Sequence, residues 1–361
     1  MHVTVYQSLD ELPPSCEQLF EEAGKASFFL TLEWYRNLAG QALPEDCRAR
    51  IYVAHEGDDV LGILLMKFAA ERGSLFACRK LEALSNYYSS LFMPLVASAD
   101  CLQMIADEIA REHWDSVDLH PMAQDSPLFG RLEAAMKHSG MSVQPYYCFG
   151  NWYLKVDGRS YRDYSNALPS KLKNTLKRKD RQFSAMASRM EIITGIDGVD
   201  SAIAAYQKVY HSSWKIREPH PDFMPGLISL CAERGWLRLG LAYLDEEPIA
   251  AQLWIVKDGI AAIYKLAYDE KFSKLSAGSL LTAKLMEHVI DVDHVSEVDY
   301  LTGDDDYKKD WMSDRRERWG IIAYNRHTPR GVCMGALSRV SGYAKGVVWS
   351  RESATVRRNF G

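Results

Sequence analysis

Two apolar runs, Pro248–Val256 and Ile260–Tyr268, stand only three residues apart, and Lys257-Asp258-Gly259 supplies a tight turn between them. That spacing predicts a β-hairpin, and it constrains the chain more than any other feature because it commits this region to a sheet. A polar loop, Asp269 to Ala277, follows. From Gly278-Ser279 onward, Leu280, Leu281, Leu285, Met286 and Val289 recur on one broad helical face. A short strand, Val298 to Leu301, comes next, and the region ends on a polar cluster, Thr302-Gly-Asp-Asp-Asp-Tyr-Lys-Lys-Asp-Trp311. The predicted order is therefore a hairpin, a Gly-headed helix, a strand and an acidic turn, which is a βαβ unit with a hairpin in front.

Elsewhere the same alternation recurs. Helices are predicted over Leu9 to Ala23 (delayed by Pro13 and Pro14), Phe28 to Leu43, Ala99 to Arg111 and Leu128 to Lys137. Strands are predicted over Arg48 to Ala54, Val60 to Met66, Ser116 to His120 and Met141 to Tyr147. A second pass starts near Asn151 with strand Trp152 to Val156. Helices Leu168 to Ala185, Gly198 to Trp214 and Pro221 to Ala232 follow, and then strand Leu237 to Leu244. Both passes read as helices, a strand hairpin, a helix and a strand, so one architectural unit is used twice. The fold class is α/β of the α+β type, with a mixed, largely antiparallel sheet flanked by helices in each half.

With 361 residues, about two domains of ordinary size are expected. The boundaries implied are 1–150, 151–329 and a tail, 330–361. The chain is 47% hydrophobic and 25% charged with net charge −5, which suits a globular protein and disfavours nucleic-acid binding by bulk electrostatics. Seven scattered cysteines form no C-x-x-C pair, so reduced thiols are expected and a zinc ribbon or disulfide framework is not. The N-terminus lacks a basic stretch followed by an apolar run, and no window reaches about 18 uninterrupted apolar residues. A cytoplasmic location is expected, with peripheral contact at the inner membrane as an additional possibility carried by the tail. That tail holds six basic residues against Glu352 alone, and Met334, Leu337, Val340, Ala344 and Val348 share one helical face. Such a helix either lies on an anionic membrane surface or packs on the domain with a solvated basic face.

Several residues carry candidate chemistry. Gly278 and Ser279 at a helix start expose main-chain N–H groups at the positive end of a helix dipole, a suitable cradle for phosphates, and Lys274 adds a point charge. Gly and Ser are also ordinary helix-capping residues. In the acidic cluster, Asp304 or Asp305 can take a proton from an attacking group and Tyr307 can return one to a leaving thiolate. One Asp of the cluster is equally expected to cap the helix that follows. Gln252 and Lys265 interrupt apolar strands, as a ligand groove or an edge position would require. His211, at the end of a helix, is a structural residue or an alternative base. Between Lys171 and Arg181, six basic residues face only Asp180. That patch suits cofactor phosphates, an anionic lipid or a tRNA, or else is a solvated face. No Gly-x-Ser-x-Gly, Walker or His-Glu-x-x-His pattern is present, which lowers hydrolase, NTPase and zincin readings. No metal site is expected.

Pro248-Ile-Ala-Ala-Gln252, Tyr264-Lys265, Ser276-Ala-Gly278 and Asp299-Tyr-x-x-Gly303-Asp304-x-x-Tyr307-Lys308-x-x-Trp311 together resemble the GNAT acyltransferases of the cellulose-biosynthesis (CelD/BcsL) type. That group is related to the Fem peptidoglycan ligases. The resemblance covers roughly residues 151–326 and is architectural in the first half. It implies two tandem GNAT-like folds, the first non-catalytic, with a donor thioester threaded between splayed central strands and its pyrophosphate on the Gly278 helix. The usual Arg/Gln-x-x-Gly-x-Gly/Ala signature is replaced by Lys274-Leu-Ser-Ala-Gly278-Ser279, which leaves acyl-CoA, an acyl carrier protein or aminoacyl-tRNA as donor. The Asp-Tyr-Lys-x-Asp-Trp-Met ending and the basic tail are also similar to the bacterial ceramide-synthase branch.

The expected activity is N-acyl transfer from a thioester to a primary amine of a cell-envelope precursor, either an amino sugar or a lipid amine such as a sphingoid base. No cofactor is expected to be permanently bound. Gln252 and strand backbone groups would hold the donor's acyl and pantetheine portions, Lys274, Gly278 and Ser279 its phosphates, and Lys265 is a further donor-binding candidate. The alternatives are a Fem-like aminoacyl-tRNA-dependent ligase and a non-catalytic GNAT-fold scaffold in polysaccharide biosynthesis.

Overall fold

A computed structural model describes residues 1–69 and 78–340. The chain forms two compact units, Met1–Phe149 with Glu317 onward, and Gly150–Arg316. The tail beyond residue 340 lies outside the described residues.

In the first unit, β1 (His2–Tyr6), α1 (Glu17–Ala26), α2 (Leu32–Gln41), β2 (Cys47–Glu56) and β3 (Asp59–Ala69) come first. They are followed by β4 (Lys80–Ala83), β5 (Leu95–Val96), α3 (Cys101–Arg111), β6 (Ser116–Ala123), α4 (Pro127–His138) and β7 (Met141–Lys155), which continues into the second unit. The second unit then adds α5 (Tyr161–Ala167), α6 (Ser170–Ser184), β8 (Ser188–Ile193), α7 (Val199–His211) and α8 (Phe223–Glu233). After these come β9 (Leu237–Leu244), β10 (Glu247–Lys257), β11 (Ile260–Tyr268), α9 (Ala277–Asp291) and β12 (Glu297–Asp299). β13 (Asp314–Asn325) returns the chain to the first unit, which α10 (Pro329–Val340) completes.

Local chemistry sets several boundaries. Ser8 caps only a 3₁₀ turn through Asp10 N at 3.1 Å, and the helix expected from Leu9 begins at Glu17, beyond Pro13 and Pro14. The helix expected from Leu168 to Ala185 is two helices, because Pro169 holds Leu168 extended at ψ 151°. The strands expected at 141–147 and 152–156 are one continuous strand. Sequence periodicity missed β1, β4, β5, β8 and β13. β13 opens with Asp-Arg-Arg-Glu-Arg, a charged run that hides its alternation, and Arg316 in it bonds to Asn151 and Asp299, 165 and 17 residues away.

The two units repeat one sheet order. In the first the strands run β1-β2-β3-β4-β6-β13, and in the second β8-β9-β10-β11-β12-β7. Each is antiparallel except for one parallel pair in the fourth and fifth places. That pair is β4 with β6 (Lys80 to Glu82 against Ser116 to Asp118) and β11 with β12 (Ile260 to Ala262 against Glu297 to Asp299). Both parallel ladders last three residues. In the second unit Leu280, Leu281, Leu285, Met286 and Val289 of α9 pack with Ile249, Ala250, Trp254 and Ile263 of the hairpin, all 5% exposed or less. Burial of that apolar stripe is what holds α9 on the sheet.

Candidate functional site

The site begins where the parallel ladder of the second unit ends. β11 continues to Tyr268, while β12 stops at Asp299, so the two strands part after Ala262 and Asp299. Beyond those residues the facing edges of β11 and β12 are no longer laddered to each other, and the opening between them is the cleft of the site.

The β12 side of the cleft is fixed by a buried charged network. The Arg316 guanidinium donates to Asp299 Oδ2 at 2.6 Å, Glu297 Oε1 at 2.7 Å and Asn151 Oδ1 at 2.7 Å. The Asn151 amide in turn donates to Leu301 O at 2.9 Å, and Leu301 N–H donates to Asp299 Oδ1 at 2.7 Å. These bonds hold Leu301 at φ 54°, a conformation a branched side chain rarely adopts. Gly303 follows at φ 106°, where a Cβ would stand 3.0 Å from Asp305 Oδ2 and 3.1 Å from Lys308 Nζ. Only glycine fits that corner.

The acidic turn places its three carboxylates in different surroundings. Asp304 is clamped by Arg315, which donates to both carboxylate oxygens at 2.7–3.2 Å. Those bonds, opposed by partial burial, hold the Asp304 carboxyl below its ordinary range. Gly150 makes the clamp possible, because a Cβ there would lie 2.6 Å from Arg315 Nη2. Asp305 occupies the cap position of the 3₁₀ turn Asp306–Asp310 but makes no capping hydrogen bond; its carboxylate stands 3.3 Å from Lys308 Nζ. Asp306 is exposed and pairs with Lys309 at 3.0 Å. Buried Lys308 also donates to Thr302 O at 2.6 Å, and burial lowers the pKa of its ammonium.

Tyr307 packs edge-on against buried Tyr300, with ring centroids 5.7 Å apart, and the two phenols share a hydrogen bond. Burial of the phenol and then the Asp305 charge push its pKa up to about 12, although the residue keeps 42% of its surface exposed.

On the β11 side, Lys265 is 5% exposed and pairs with Glu218 at 3.0 Å. Glu218 lies on the loop between α7 and α8, whose Trp214 ring packs against Tyr268 with centroids 4.4 Å apart. The same loop carries Lys215, whose ammonium lies 5.7 Å from the centre of the Trp214 ring and is brought down to about 7 by desolvation and then by the Lys265 charge. His211 is exposed at the end of α7, in a pocket of about 220 Å³ that Tyr206, Arg217, Glu218 and Met224 also line.

At the other end of the cleft, α9 starts at Ala277 with Ser276 left-handed at φ 57° and no side-chain cap, so its first N–H groups have no capping oxygen. Gly278 is the second residue of this helix, not its cap. Exposed Lys274 lies just before it, and Lys179 of α6 donates to the Lys274 carbonyl. Gln252 is buried beneath that first turn. Its amide donates to Gly278 O at 2.8 Å and Thr282 Oγ1 at 2.9 Å, and its carbonyl accepts from Trp254 Nε1 at 3.0 Å. The side chain is thus committed to holding α9 against β10.

The fold therefore brings Asp305 and Tyr307 together, pairs Lys265 with Glu218, and puts Lys274, Gly278 and Ser279 at the α9 start. His211 and Glu218 line one pocket. Sequence reasoning missed Lys215, Glu218, Arg315, Arg316 and Asn151. Lys215 and Glu218 follow a helix end without any local pattern, and the two arginines stand in a charged run that carries no apolar alternation.

Residues 170–309 match the acetyltransferase (GNAT) domain family. The sheet order with its short parallel ladder and the matched domain together define the fold of the second unit as that of a GNAT domain. No curated protein matches the sequence. Among solved structures the chain is similar to FemX, at 10% identity and TM-score 0.61, covering 93% of this chain and 100% of that one. It is also similar to the C-terminal domain of a putative lysylphosphatidylglycerol synthetase from Agrobacterium fabrum, at 11% identity and TM-score 0.52, covering 90% and 96%. A tandem GNAT protein from the clavulanic acid biosynthesis pathway aligns at 12% identity and TM-score 0.49, covering 89% and 98%.

Proposed function

We propose that the second unit moves an acyl group from a thioester, acyl-CoA or an acyl carrier protein, to a primary amine of a cell-envelope precursor. The observation that carries this reading is the parting of β11 from β12, with a helix start that has no side-chain cap and the ion pairs Lys265–Glu218 and Lys308–Asp305 on the same unit. Parted strand edges can bond the pantetheine amides, and the α9 start with Lys274 supplies positive potential for the donor's phosphates. Gln252 contributes by fixing that helix start. The amine attacks the thioester carbonyl directly, without a covalent enzyme intermediate. Asp305, unlike the clamped Asp304, is placed to receive the acceptor ammonium. Tyr307 holds its proton at neutral pH and can give it to the leaving thiolate.

The acceptor is an amino sugar or a lipid amine, the chemistry of the cellulose-biosynthesis or ceramide-synthase type of enzyme. A lipid acceptor would place the protein at a membrane surface, with the basic tail as its contact. Among the described residues no helix is long and apolar enough to cross a membrane.

Addition of acyl-CoAs of increasing chain length is expected to raise the unfolding temperature, with carrier-protein thioesters compared in parallel. Mass spectrometry of lipids and amino sugars from cells with and without the protein should then show an N-acylated product. Tyr307→Phe should cut turnover by about 10²–10⁴-fold with the fold intact. No stabilisation by any thioester would sink the reading.

One observation favours a second reading, an aminoacyl-tRNA donor: Lys171, Lys177, Arg178 and Arg181 are all exposed on α6, beside the loop that leads into α9.

A further inference from the structure

A pocket of about 220 Å³ lies against α7, α8 and the loop that joins them, and no residue of the acidic turn after β12 lines it. Tyr206 and Met224 on its inner side are each 2% exposed, and the Glu218 side chain 11%. Arg217 and His211 are exposed at its rim. Liquid water takes about 30 Å³ per molecule, so the space equals roughly seven waters, room for a sugar ring or a small head group.

Two of these polar groups are uncommitted. The Tyr206 hydroxyl is closed to solvent and has no hydrogen-bond partner among the described residues, an arrangement that costs stability. Arg217 makes no ion pair or hydrogen bond among the described residues. Glu218 accepts from Lys265 Nζ at 3.0 Å, and Lys265 stands on β11 beyond Ala262, where β11 and β12 have parted. A carboxylate accepts from several donors at once. Through Glu218 the pocket is therefore tied to the strand that borders the cleft.

We propose that this pocket takes the non-reacting part of the acceptor and that this part is an anionic sugar. Hydroxyls bond Glu218 and Tyr206 inside, the Met224 side chain packs on the C–H face of the ring, and a phosphate or carboxylate meets Arg217 and His211 at the rim. A guanidinium suits either anion, because its N–H groups match two oxygens at once. The inference rests on the acyl-transfer reading and narrows its acceptor to an amino sugar that carries an anionic group. The hydrocarbon of a sphingoid base would leave the inner carboxylate and hydroxyl, or else the cations at the rim, facing an alkyl chain.

Isothermal titration of the full chain tests this with glucosamine 6-phosphate and glucuronate as anionic sugars. Glucosamine, inorganic phosphate and a water-soluble short-chain sphingoid base serve as controls that lack one half of the match. One anionic sugar is expected to bind at least about tenfold more tightly than every control, and which of the two it is tells phosphate from carboxylate. R217Q, at an exposed position, should weaken that sugar by about tenfold or more. Y206F should weaken it as well and leave the free chain at least as stable, because an orphaned hydroxyl is removed. The proposal is overturned if neither anionic sugar binds, if a control binds equally well, or if the affinity ignores either R217Q or Y206F. A chain that thioesters stabilise and that binds neither sugar loses this acceptor and keeps the acyl-transfer reading. If no thioester stabilises the chain, that reading falls and the pocket's acceptor role falls with it, whatever sugar binds.

Discussion

Asp304 and Asp305 are adjacent in sequence, yet the fold gives them opposite duties. Arg315 grips both oxygens of Asp304, while Asp305 shares Lys308 and faces the cleft. The Asp304 carboxyl titrates below its ordinary range, so its ion pair adds stability that is fully present above about pH 4 and is lost as pH falls through the lowered folded value. D304N should therefore be less stable than the parent at pH 7, and the difference should shrink toward pH 2. Unfolding temperatures across that range would show it, and parallel curves would count against the clamp. The acidic run itself was legible in the sequence, as was the expectation that its aspartates would divide their roles. Which aspartate Arg315 would clamp was not, because Arg315 reaches back eleven residues across a turn whose path depends on Gly303 and Gly150.

At the scale of elements, β10 and α9 behave as one piece. Gln252 stood out in the sequence as a polar residue in an apolar strand, and a ligand groove was one reading of it. The fold instead spends its amide on Gly278 O, Thr282 and the Trp254 indole. Gln252→Leu keeps the volume but leaves the buried Trp254 N–H unsatisfied, a cost of about 1–3 kcal/mol. Urea unfolding should show a lower midpoint, and thioester stabilisation should weaken because the α9 start loosens. If stability is unchanged, the network is not holding the helix. The hairpin and α9 were legible because period-2 and period-3.6 patterns are local. β4 and β8 were not, because they are short and their pairing with β6 and β9 joins residues 36 or more apart.

For the whole molecule, charge separates the two readings of the donor. The net charge is −5, and the basic residues of α6 are a local patch on an acidic protein. A tRNA donor would engage that patch, and its binding would fall steeply with salt. We expect no retention of tRNA at about 0.15 M salt, where phosphate contacts by a single patch are strongly weakened. A salt-sensitive complex lost when Lys177 and Arg178 are changed to glutamine would favour the ligase reading instead. Both sheets carry the same strand order with one short parallel ladder, so the repetition suggested by the order of elements is a property of the fold.

By itself the sequence determined the hairpin, the apolar stripe of α9, the acidic turn, the basic helix and the use of one architecture twice. Each of these is written in residues close enough to read together. Only the tertiary structure decided where β11 and β12 part, that Gln252 bonds α9 to β10, and that Glu218 pairs with Lys265 and Asp305 with Lys308. The physical reason is that apolar periodicity acts over one or two turns of chain. The state of a charge depends on burial and on neighbours that packing brings from distant segments, and no local pattern records which neighbours those will be.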